Sequence, residues 1–211
     1  MVYPNDQIDS RAYARTFRPL AEAGYVVVVL NEPLGLASAD PDLALEAFAT
    51  YPDVTRWVVA GHGAGGDAAA QVAATHSGPD HPVVGLLLHA SAPTADASDA
   101  AVLAASVWGD LDGVVGPADI AASRTNLPTD TDFVRVSDAV HSSFADYGDH
   151  PGDGETPEDH EDLQEAIVAA SLTFMERVAA AAELEGAADA RGSDDEAGSG
   201  SETDGETEAS G

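Results

Sequence analysis

Four short runs of valine and leucine, apolar at nearly every position, set the architecture: residues 25–30 (YVVVVL), 57–60 (WVVA), 83–89 (VVGLLLH) and 102–108 (VLAASVW), with a shorter fifth at 132–136 (DFVRV). A strand with one face in water alternates apolar and polar residues. A run without alternation suits a strand buried on both faces, inside a parallel sheet covered by helices. The segments between the runs have helical spacing: 10–23 with Tyr13, Phe17 and Leu20, then 41–50, 66–76 and 117–124, with an alanine-rich helix at about 160–184 closing the series. Strand and helix alternate, which predicts an α/β fold with a doubly wound, mostly parallel sheet. One core over residues 1–185 is expected. From Gly186 to Gly211 the composition shifts to Gly, Ser, Asp, Glu and Thr without an apolar cluster, which reads as a disordered acidic tail.

Charge narrows the function classes. The chain carries 38 acidic residues against 8 basic ones, a formal net charge of −30, and every basic residue is an arginine. Such a surface repels nucleic acid and anionic membranes. The acids are spread along the whole chain and lysine is absent, a pattern that fits adaptation to molar salt better than one acidic docking patch. Cysteine is absent as well, so no disulfide framework or thiolate site is available. No apolar stretch reaches the roughly 18 residues of a membrane span, and the N-terminus lacks a signal pattern. A cytoplasmic location is expected.

The chemistry-bearing segment is Trp57-Val-Val-Ala-Gly61-His62-Gly63-Ala64-Gly65-Gly66, an apolar run feeding a glycine-dense turn and then a small-residue helix. This is the outline of a G-x-S-x-G elbow, in which a serine is held at an unfavourable backbone conformation on a strand-to-helix turn. Here the central position is Gly63. Glycine takes that conformation without strain, so the turn is expected to survive while the attacking atom is lost. Two more groups follow in order: Gly109-Asp110-Leu111-Asp112-Gly113 after the fourth run and His141-Ser142-Ser143-Phe144 after the fifth.

Elbow, acid and histidine in that order resemble the α/β-hydrolase family, in particular small acyl hydrolases with a dienelactone-hydrolase-like outline, over residues 10–148. The resemblance implies Asp112 as the acid that orients the imidazole, with Asp110 as rival, and His141 as general base toward the missing hydroxyl. It implies backbone N–H donors for an oxyanion at Ala64 and at Asn5, which follows Tyr3-Pro4. It also implies two or three strands before the oxyanion loop. Met1 falls almost on that loop, so the sheet is expected to be cut down at its N-terminal side, with the strand between the 25–30 and 57–60 strands reduced to residues 1–3.

The same residues fit other motifs less well. Gly61-x-Gly63-x-x-Gly66 matches a dinucleotide fingerprint, but the next strand ends Leu88-His89-Ala90-Ser91 without the acidic residue that would hold a ribose. The seven histidines show no i, i+4 pair, so neither a metal nor an organic cofactor is expected. Ser91 ends a strand near the elbow without an elbow of its own. Three functions stay open: a weak hydrolase of small ester-like or acyl substrates, with water activated by His141 and Asp112; a non-catalytic binder of such a ligand, using space that Gly63 opens; and a truncated product without function. Oligomeric state is not legible.

Overall fold

The computed structural model describes residues 1–31 and 43–198, with side chains to residue 187. Five parallel strands form one sheet in the order β1 (Val2–Tyr3), β2 (Trp57–His62), β3 (Val83–His89), β4 (Leu103–Gly109) and β5 (Asp132–Val136). Sequence order equals spatial order from β1 to β5, so each crossover moves the chain one strand along. The connecting helices are α1 (Ala14–Glu22), α2 (Leu43–Thr50), α3 (Gly65–Thr75) and α4 (Pro117–Ser123), and α5 (His160–Gly198) follows the last strand.

The local causes are ordinary ones. The Asp9 carboxylate accepts from the Arg11 backbone N–H at 2.9 Å and opens the turn that leads into α1. Pro117 occupies the first turn of α4, and Asp119 reaches back to the Gly116 N–H at 3.0 Å. On one side of the sheet Trp57, Val59, Leu86 and Leu88 pack with the alanines of α2 and α3. Small residues let α3 lie close: a Cβ on Gly65 would strike the Tyr3 and Pro4 carbonyls, and one on Gly66 would strike Ser91 Oγ. On the other side His89 stacks on Phe17 of α1, with ring centroids 5.3 Å apart, and meets Ser171 Oγ of α5 at 2.9 Å. The sheet is therefore covered on both faces.

Two expectations need adjustment. The run 25–30 is not a full strand. Val2 donates to the Val28 carbonyl at 2.8 Å and Leu30 donates to the Val2 carbonyl at 2.9 Å, leaving a single parallel bridge between Val2 and Val29. Its neighbour β1 has two residues, so there is nothing for a longer ladder to pair with. The segment does lie beside β1, with β2 on the other side, as expected. The closing helix continues past 184 to Gly198, because Ala, Glu, Asp and Arg in that stretch are compatible with a helix and an internal glycine costs only about 1 kcal/mol relative to alanine. Residues 199–211 of the expected tail, and the start of the expected helix at 41–42, lie outside the described residues.

The chain divides into two compact units, Met1–Met175 and Glu176–Gly211. The first holds the sheet and the residues Asn5, Gly63, Asp112 and His141. No helix among the described residues is long and apolar enough to cross a membrane.

Candidate functional site

At the carboxyl end of β2 the chain turns sharply into α3, and Gly63 sits at the apex with φ +52°. That left-handed conformation costs an L-residue roughly 1–2 kcal/mol and glycine nothing. The Gly63 N–H donates to the His89 carbonyl at 3.1 Å, and its own carbonyl accepts from Ser91 Oγ at 2.8 Å. Ser91 thus braces the turn.

After β4, Asp112 is buried and accepts from the Val114 and Val115 N–H groups through Oδ1, at 2.8 and 2.7 Å. Its Oδ2 lies 3.0 Å from His141 Nδ1. Asp110 points elsewhere: Oδ1 accepts from the Asp138 N–H at 2.7 Å and Oδ2 lies 3.5 Å from Arg135. Of the two aspartates named from sequence, the fold brings Asp112 to the histidine and turns Asp110 toward β5.

His141 begins a short 3-10 turn, His141–Phe144, and its side chain is fully buried. Asp153 anchors that turn, its carboxylate accepting from the His141 and Ser142 N–H groups at 2.8 Å each and from Gly154 at 2.8 Å. Burial works to raise the Asp153 pKa, but the N–H groups of Ser142, His141 and Gly154 outweigh it and hold the carboxyl below its ordinary range.

The space above Gly63 is filled. Asn5 Oδ1 accepts from the Ala64 N–H at 3.0 Å and from the Asp6 N–H at 2.9 Å, which fixes the amide so that Nδ2 faces His141. Asn5 Nδ2 then donates to His141 Nε2 at 3.1 Å, with Nδ1–H of the same ring donating to Asp112. A Cβ placed on Gly63 would lie 2.5 Å from Asn5 Oδ1 and 2.6 Å from Cγ. The sequence reading expects Gly63 to open space for a ligand; in the structure that space is not vacant but holds the Asn5 carboxamide. The backbone N–H of Asn5, expected as the second carbonyl donor, is directed to Tyr13 Oη at 2.7 Å. Asn5 enters the site through its side chain.

Behind the pair lies an aromatic column that the sequence did not announce. His62 and His89 are register partners at the ends of β2 and β3. His62 stacks on His141 at 4.6 Å between centroids, meets Phe144 at 5.9 Å, and has Nδ1 2.8 Å from Tyr13 Oη. Burial, and then the neighbouring His141 and His89, push its pKa well below 6.5. The Tyr13 hydroxyl, which accepts from the Asn5 N–H, donates to Nδ1, and His62 Nε2 is buried on the other side of the ring. Burial also takes His89 down to about 3. Tyr147, near the His62 and His150 rings, is pushed up by burial and by the Asp153 and Asp112 charges. The strand-end pattern that placed His62 and His89 side by side was present in the sequence, as two valine-rich runs each closing on histidine. No group of three or more His, Cys, Asp or Glu able to hold a metal is found among the described residues.

The alpha/beta hydrolase family model matches residues 1–165. No curated protein matches the chain. Among solved structures, a monoacylglycerol lipase from Paleococcus ferrophilus is 14% identical, with a TM-score of 0.61 over 82% of this chain and 93% of that one. A thermophilic esterase from Thermogutta terrifontis, malate bound, is 11% identical with a TM-score of 0.59 over 84% and 89% of the two chains. A serine hydrolase homologue from Coxiella burnetii is 17% identical with a TM-score of 0.55, over 80% and 83%. At these identities the likeness is one of fold, and it agrees with the family match, whose span contains the sheet, Gly63, Asp112 and His141. The chain belongs to the alpha/beta hydrolase family.

Proposed function

We propose that this chain is a pseudo-hydrolase related to the hydrolases of small ester and acyl substrates: it forms no acyl-enzyme and binds a small molecule through a carbonyl group. In this reading Asp112 orients His141, the Ala64 N–H is the carbonyl donor, and Gly63 replaces the nucleophile. One observation carries it. Asn5 holds both groups at once, the His141 Nε2 that a serine hydroxyl would need and the Ala64 N–H that a substrate oxygen would need.

The magnitudes favour binding over turnover. A triad hydrolase that loses one member still accelerates its reaction by roughly 10³–10⁴ over water, through donors that remain aimed at the carbonyl. Here the Ala64 donor is engaged internally, so that remainder is suppressed as well. A water activated by His141 is the second reading, supported by the 3.0 Å Asp112–His141 contact and opposed by the Asn5 amide that already occupies Nε2. The acidic, lysine-free composition supports a protein adapted to molar salt in a cytoplasm.

The test is the initial rate of hydrolysis of a short activated ester in molar KCl, for the parent chain beside His141→Ala. Equal rates, at the background set by buffer alone, are expected. Parent hydrolysis that disappears in His141→Ala would replace this reading with a water-activating hydrolase.

A further inference from the structure

We propose that Asn5 is an intramolecular ligand of this site, and that the external ligand class the site accepts is a small primary carboxamide. The inference deepens the carbonyl-binding reading above and rests on it.

Among the described residues, the groups Asn5 now satisfies are two N–H donors that converge on one oxygen, from Ala64 and Asp6, and one acceptor, His141 Nε2, since Nδ1–H is given to Asp112. A primary carboxamide answers both kinds, with its oxygen on Ala64 and its N–H on His141, as the Asn5 side chain does at 3.0 and 3.1 Å. An ester presents no N–H to Nε2. A carboxylate would turn a second oxygen lone pair toward it, unless a proton were brought in. The turn agrees: Gly63 has no side chain, and a Cβ there would lie 2.9 Å from Asn5 Nδ2, so the room for a planar amide depends on glycine.

Asn5 is well placed to be the resident ligand. Its backbone is pinned by Tyr13 Oη at the N–H and by the Ile8 N–H at the carbonyl, at 2.7 and 3.1 Å. The side chain is thereby delivered at high effective concentration, and an external amide has to displace it. Removing the carboxamide while keeping the loop turns the internal ligand into a vacancy of the same shape.

The experiment is an acetamide titration of Asn5→Gly protein in molar KCl, with acetate and methyl acetate as matched controls and the parent chain alongside. Thermal midpoint and the ¹⁵N shift of His141 Nε2 are the readouts. Acetamide is expected to raise the Asn5→Gly midpoint by several degrees relative to its effect on the parent and to move the His141 signal, while acetate and methyl acetate leave both unchanged. An acetamide effect no larger on Asn5→Gly than on the parent overturns the proposal, as does methyl acetate matching acetamide. If Asn5→Gly does not fold, Asn5→Asp decides, because it keeps the shape and removes the N–H donor. It should be less stable than the parent at pH 8 and recover toward pH 6, where a proton is available to bridge residue 5 and Nε2. Parent-like stability at both values overturns the proposal. Preference for acetate or methyl acetate would leave the carbonyl-binding reading standing and remove the amide class, whereas His141-dependent ester hydrolysis by the parent chain would remove the binding reading itself.

Discussion

A single side chain decides the chemistry of the candidate site. Asn5 makes hydrogen bonds with the Ala64 and Asp6 N–H groups and with His141 Nε2, and Gly63 is the absence of a side chain that lets it do so. Asn5→Ala strips a partner from the half-buried Ala64 and Asp6 N–H groups and from the fully buried His141 Nε2, and one buried group left unsatisfied costs about 1–3 kcal/mol. A fall in unfolding free energy within that range, measured by denaturant titration in high salt, is expected. A change under 0.5 kcal/mol would mean that water replaces the amide at no cost. Restoring serine alone is expected to fail for the same reason, because the new Cβ would collide with Asn5 before its hydroxyl could reach the histidine. Ester hydrolysis by Gly63→Ser should stay at background, whereas the double variant Asn5→Gly, Gly63→Ser regains a free path to His141 and should exceed the single variant.

At the scale of elements, the two backbone N–H groups that open the turn His141–Phe144 are held by one carboxylate. Asp153 accepts from His141, Ser142 and Gly154, so Asp153→Ala should cost about 1–3 kcal/mol and speed hydrogen exchange at the His141 and Ser142 amides. Unchanged exchange there would show that the 3-10 turn holds itself. The strands were the most legible part of the chain. Runs 83–89 and 132–136 are β3 and β5 to the residue; the first is apolar on both faces and has few other places to go, whereas β5 is a half-exposed strand at the end of the sheet. The YVVVVL run misled because pairing is a property of two segments, and its neighbour β1 supplies two residues. Asp112 and His141 come from the family resemblance, with Asp110 as rival, and the fold sets the Asp112 and His141 side chains 3.0 Å apart. The role of the Asn5 side chain was not legible, since it depends on the Tyr3–Gly61 register that sets residue 5 against residues 63 and 64. Asp153 was lost in a sequence where 38 residues are acidic and nothing local distinguishes the one that caps a turn.

For the whole molecule, charge and buried histidines set opposite demands on solution conditions. A formal charge of −30 repels itself at low ionic strength, where the Debye length is about 10 Å at 0.1 M salt against about 3 Å at 1 M. The thermal midpoint should therefore rise steeply with KCl over that range, and a flat response would contradict salt adaptation. His62 and His89 are held neutral by burial, His89 down to about 3. The unfolded chain binds their protons below pH 6.5 and the folded chain does not, so each costs up to about 1.4 kcal/mol per pH unit as pH falls from 6.5 toward the folded value. His89→Gln should lose one proton's worth of that slope between pH 6 and 4, measured against the parent in the same salt. The account as a whole rests on residues 5 and 63, far apart in sequence, acting as one unit. Its most direct test is a double-mutant cycle on unfolding free energy with Gly63→Ala and Asn5→Gly. Gly63→Ala should cost at least about 1 kcal/mol more in the parent than in the Asn5→Gly background, inside the 0.5–3 kcal/mol range of residues in contact. Additive costs, equal within about 0.5 kcal/mol, would contradict the matched pair and with it the internally filled site.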